Sequence, residues 1–101
     1  MKVLICADHG LSDREKVRSW IARLQDYGYD TIIIGNPGPG SMIVDEEARA
    51  AGMIVTHSPL NLLGNSPDLV LAFYSDDKPT NVVGATVKNA RRRGIETTIV
   101  C

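Results

Sequence analysis

The chain has 101 residues, a formal net charge of −1, 44% hydrophobic residues and 23% charged residues. That composition describes one globular domain with room for a single core. It argues against a broad-affinity nucleic-acid scaffold, which would carry a basic excess, and no apolar run approaches the length of a membrane span.

Residues 3–7 form a continuous apolar run, the pattern of a strand buried on both faces of a parallel sheet. Asp8, His9 and Gly10 follow as its exit turn. The tetrapeptide SDRE at 12–15 reads as a capping box, with Ser12 as the cap and Glu15 returning to it. Val17, Trp20, Ile21 and Leu24 then line one helical face. That helix is expected to end near Tyr27, with Gly28 just past it.

The second strand is the β-branched run Thr31–Ile34, and it enters GNPGPGS, a loop of three glycines and two prolines. Glycine permits positive φ and close backbone approach, while Pro37 and Pro39 stiffen the loop and remove amide donors. A second helix is expected from about Ser41, with Val44, Ala48 and Ala51 on one side and Gly52 closing it. Asp45, Glu46 and Glu47 in its early turns suit the helix dipole but oppose a phosphate seated deep on its N-terminus.

Residues 53–56 read as a third strand. The stretch HSPLNLLGNSPD, 57–68, reads as a loop with at most one short helical turn near 61–63. LVLAF at 69–73 is a fourth strand, and YSDDKPTN is its exit loop. A third helix follows over about 81–93, with Val83, Val87 and Ala90 as its apolar stripe and Lys88 and Arg91, Arg92 and Arg93 in its last turns. Gly94 ends it, and 96–100 form a fifth strand. Every full helix falls between two strands, so right-handed crossovers predict an α/β fold: a Rossmann-like three-layer sandwich around a mostly parallel five-stranded sheet, in one domain.

In open α/β sheets ligands bind beyond the carboxyl ends of the strands, where the strand order reverses. Three loops qualify, and they supply the candidate site residues: Asp8 and His9 after the first strand, Gly35, Asn36, Gly38, Gly40 and Ser41 after the second, and Ser75, Asp76 and Thr80 after the fourth. His9 suits phosphate contact or acid–base work near neutral pH. Asp8 suits a ribose hydroxyl or a base amine, and equally a local turn. His57 reads as a loop residue at the border of the same rim. The glycine loop reads either as an anion or nucleotide corner or as a rigid connection without a ligand.

Other chemistry is less supported. Asp8, His9, Asp76 and Asp77 offer carboxylate and imidazole groups without diagnostic metal spacing, so no metal and no cofactor are expected. Cys6 sits inside an apolar run and reads as core. Cys6 and Cys101 lack motif spacing, and MKVLICADHG lacks a signal-peptide core, which points to a reduced, cytoplasmic protein. The arginine triplet reads as helix-end solvation or as contact with an anionic partner. GNPGPGS is not a Walker A loop, because no Gly-Lys-Ser/Thr follows. It is not a dinucleotide fingerprint either, and the third strand does not end in a response-regulator aspartate.

MKVLICADHGLSDREKVRSWIARL, TIIIGNPGPGSMIVDEEARAAGMIV and SPDLVLAFYSDDKPTNVVGATVKNARRRGIETTIV together resemble the SLOG superfamily of Rossmann-like domains. The nearest resemblance is to the small, often phage- or bacterium-encoded branch related to the lysine-decarboxylase-like LOG proteins. It covers nearly the whole chain. Where the family carries Gly-Gly-Arg after the first strand, this chain has about Ala7, Asp8 and His9. Where it carries a glycine loop ending in Gly-Ala-Asp, this chain keeps Gly35, Gly38 and Gly40 and places Ser41 near the aspartate. The family's Gly-Gly-x-Gly-Thr corresponds to 75–80, with Thr80 in the threonine position and no glycine.

The superfamily includes phosphoribohydrolases and proposed sensors of nucleotide derivatives. The hydrolase loop Pro-Gly-Gly-x-Gly-Thr-x-x-Glu and its glutamate are absent here. The resemblance therefore implies a binder of a nucleotide or nucleotide-derived anion, with no catalytic residue assigned. Two alternatives stand beside it. One is an interaction module without a working site. The other is a divergent hydrolase of nucleoside monophosphates, using Asp8 or Asp76 and Asp77. A homodimer is a further expectation, since the resembling family commonly associates.

Overall fold

The computed structural model of the protein describes residues 1–7, 13–35, 38–57, 67–73 and 81–100, the side chains at 81–83 and 85 excepted. In chain order the elements are β1 (Lys2–Ala7), α1 (Arg14–Asp26), β2 (Thr31–Ile34), α2 (Pro39–Ala50), β3 (Ile54–His57), β4 (Leu69–Phe73), α3 (Asn81–Arg92) and β5 (Thr97–Val100). The strands form one sheet in the order β3-β2-β1-β4-β5, and all four pairings are parallel.

This order follows from the sequence of crossovers. The chain steps from β1 to β2 to β3 in one direction, so right-handed connections put α1 and α2 on the same face. It then returns to the other side of β1 for β4 and steps on to β5. The direction is reversed, and α3 lands on the opposite face.

The core divides the same way. On β1, Ile5 lies opposite Ile34 of β2 and Leu71 of β4, and these join Val17, Ile21 and Leu24 of α1 and Val44 and Ala48 of α2. One residue earlier, Leu4 lies opposite Ile33 and Val70, and these join Val87 and Ala90 of α3. β1 is thus apolar at successive positions because both of its faces are covered, as the unbroken run at 3–7 predicts. Of the expected helical stripes, Val17, Ile21, Leu24, Val44, Ala48, Val87 and Ala90 are buried and Trp20 is partly buried. Ala51 is exposed, and the side chain of Val83 lies outside the described residues.

Glycine ends α1, α2 and α3 as expected. Gly28, Gly52 and Gly94 have φ of 92°, 85° and 75°, and each follows directly on a helix's last turn. The start of α1 differs from the reading. Asp13, rather than Ser12, is the cap, and its carboxylate accepts the Lys16 amide at 3.0 Å. Ser12 and Asp13 are both good caps, and choosing the aspartate moves the first turn one residue along. The start of α2 also differs, at Pro39 rather than near Ser41. Proline at the first helical position has its φ already set, and its missing N–H would be unpaired there in any case.

Candidate functional site: the amino end of helix α2

The strand order reverses between β1 and β4, so the crevice where α/β sheets take ligands lies beyond Ala7 and Phe73. Of the residues expected there, Asp8, His9, Asn36, Ser75, Asp76 and Thr80 lie outside the described residues, as do the alternative carboxylate Asp77 and the residues of the 58–66 connection. Gly35, Gly38, Gly40 and Ser41 are described, and the structure separates their roles.

Gly35 extends the ladder of β2. It is buried, and its N–H donates to the Ile5 carbonyl at 3.1 Å, so that amide is committed to the sheet. Gly38 is the N-cap of α2, with φ 136° and ψ 172°, a conformation essentially reserved for glycine. It has no side chain to cap the helix. The first intrahelical bond is made by the Met42 N–H to the Gly38 carbonyl at 3.1 Å. Pro39 has no N–H, which leaves the amides of Gly40 and Ser41 without a partner among the described residues. They sit at the positive end of the helix dipole.

Ser41 sharpens this corner. It is only 3% exposed, and its Oγ is buried without a hydrogen-bond partner. Leaving a buried hydroxyl unsatisfied costs about 1–3 kcal/mol. Natural structures keep few such groups, and those they keep call for a reason. Two amides without a partner among the described residues and an unpaired hydroxyl on one helix turn form a donor set suited to an anion.

The three acids that follow are not a bare negative surface. Asp45 Oδ2 lies 2.9 Å from His57 Nε2, and Asp45 Oδ1 is bound by Arg49 one turn further on. Partial burial acts to raise the Asp45 pKa, but the bonds from His57 and Arg49 outweigh it and hold the carboxyl below its ordinary range. Glu46 pairs with Arg14 at 2.9 Å, and Glu47 with Arg18 at 3.1 Å and Arg14 at 3.7 Å. The expected opposition of these acids to a phosphate is therefore weakened by arginines from α1 and from α2 itself and by the His57 imidazole at the end of β3. His57 is a finding of the same kind. It ends β3 instead of opening a loop, and register with Ile34 places it beside the carboxyl end of β2.

Cys6 is part of the core. It is fully buried, and burial pushes its thiol up to about 11, against a smaller opposing effect of its hydrogen bond with Thr86. Among the described residues no group of three or more histidine, cysteine, aspartate or glutamate side chains is arranged to hold a metal ion, and no helix is long and apolar enough to cross a membrane.

The fold is a Rossmann-like α/β sandwich. Comparisons of the chain with protein-family models, with curated proteins and with solved structures find no match.

Proposed function

We propose that this protein binds a small anion, a nucleotide or nucleotide derivative, with a phosphate seated on the amino end of α2. The observation that carries the reading is Ser41. A buried hydroxyl without a hydrogen-bond partner is costly, and an anion at that position would satisfy it together with the two amides that have no partner among the described residues. The base and ribose would then extend toward the crevice between β1 and β4, where Asp8, His9, Asp76 and Thr80 fall in sequence. The resemblance to the SLOG superfamily and its LOG-like, partly phage-encoded branch gives the same ligand class, and the order of strands and helices is compatible with it. A reduced, cytoplasmic setting and a homodimer belong to the same reading.

Calorimetric titration with nucleoside mono-, di- and triphosphates tests it, with Ser41→Ala as the partner variant. Binding to the native protein should weaken about tenfold or more in Ser41→Ala, the range of a charge-assisted hydrogen bond. The unliganded variant should be no less stable than the native protein, because the removed hydroxyl has no partner to lose. Absence of binding to any nucleotide would discard the proposal. Release of free base from a nucleoside monophosphate would identify the divergent hydrolase instead.

A further inference from the structure

A second recess lies at the other end of the sheet, beside the amino ends of β4 and β5. It is a cavity of about 300 Å³ under the last turns of α1. Trp20 and Tyr27 line it from α1, Tyr29 from the turn into β2, Glu96 from the turn into β5, and Leu24 and Leu69 from the core side. Each strand or helix contributes for a local reason. Trp20 and Leu24 belong to the apolar face of α1, while Tyr27 follows its last turn and is 67% exposed.

Aromatic rings present a negative face, and a cation over such a face is attracted to it. One such contact already exists here, since the Arg23 guanidinium lies 4.6 Å from the centre of the Trp20 ring. Glu96 adds a formal charge. Its exposed carboxylate makes no hydrogen bond or ion pair among the described residues. Asp68 adds another nearby. Burial first, then the charges of Glu96 and Asp68, raise the Tyr29 pKa above its ordinary value.

Met1 also lines the recess. The Met1 amino group is paired with Asp30 at 3.2 Å, and Arg23 lies over Trp20. Among the described residues the Asp68 carboxylate takes only the neutral Lys2 amide, at 2.8 Å. Glu96 is thus the carboxylate of the lining, and among the described residues no cation pairs with it.

We propose that this recess binds a small quaternary ammonium compound, its methyl groups against the rings of Trp20, Tyr27 and Tyr29 and its charge balanced by Glu96. The alkylated cation suits the site better than a bare ammonium. Leu24, Leu69 and the rings offer apolar contact, whereas a bare ammonium would lose strong hydration without enough acceptors to replace it.

Trp20 is the single tryptophan of the chain, so its emission reports directly on the recess. Choline is titrated at constant ionic strength, with the neutral isostere 3,3-dimethylbutan-1-ol as control. The expected result is a saturable change with choline and none with the isostere. Glu96→Gln and Tyr27→Ala should each weaken binding about three- to tenfold, and both positions are exposed, so neither change disturbs the core. Arg23→Gln should tighten it by removing the competing cation from Trp20. A response that does not saturate, an equal response to the isostere, or unchanged affinity in both weakening variants would overturn the proposal.

Discussion

Ser41 and Gly35 stand six residues apart in one glycine loop and helix start, yet the fold gives them opposite uses. The Gly35 amide is spent on the Ile5 carbonyl, while the Ser41 hydroxyl has no hydrogen-bond partner and the Ser41 amide has none among the described residues. Composition of the loop cannot separate them, because the difference depends on where the β2 ladder stops. Cys6 shows the reverse case, a residue whose role follows from its neighbours in the sequence. A thiol inside a five-residue apolar run is desolvated, and desolvation disfavours the thiolate. In a Cys101→Ser variant, Cys6 should therefore resist alkylation at pH 8 in the native protein and react at once in denaturant. Fast labelling of the native variant would contradict its burial.

At the scale of elements, α1 depends on its cap and on its neighbour. Asp13→Ala should destabilise the protein by about 1 kcal/mol, measured as a shift in the urea midpoint, with Asp13→Asn retaining most of the stability. An unchanged midpoint would mean that Ser12 takes over the cap. The α1–α2 contact is fastened on its outer side by Arg14 and Arg18 against Glu46 and Glu47. Exposed pairs of this kind contribute little each. Their larger consequence is electrostatic, because they occupy acids that would otherwise face an anion at the amino end of α2. The pairing of Asp45 with Arg49 is legible in the sequence as an i, i+4 pair. The pairing of Asp45 with His57 is not, since it joins a helix to a strand end through the sheet register.

For the whole molecule, carboxylates with depressed pKa values set the response to acid. Asp30 is lowered first by its hydrogen bond with the terminal amino group, Glu47 first by its hydrogen bond from Arg18, and Asp45 by His57 and Arg49 against the effect of burial. A folded-state pKa below the unfolded value means that the unfolded chain binds more protons in that window. Stability is therefore full above the ordinary carboxylate values, about pH 4, and falls as pH drops through the lowered folded-state values. Urea midpoints measured from pH 7 downward should hold level and then decline below about pH 4, and Asp45→Asn should flatten the decline. A midpoint that rises on acidification would reverse the assigned sign.

The arrangement of elements was legible because its causes are local. Continuous apolar runs marked the strands buried on both faces, periods of three and four marked the helical stripes, and Gly28, Gly52 and Gly94 marked the helix ends. Right-handed crossovers then left few ways to assemble them. The cap at Asp13 and the start of α2 at Pro39 lay within a residue or two of the reading, because adjacent residues there compete for the same position. What only the tertiary structure decided is which polar groups are left over. The unpaired hydroxyl of Ser41, the imidazole of His57 on Asp45 and the Glu96 carboxylate, without a partner among the described residues and set beside three aromatic rings, all depend on contacts between segments distant in the chain. Hydrophobic patterning specifies which faces are buried, but it carries no record of which donor meets which acceptor once they are.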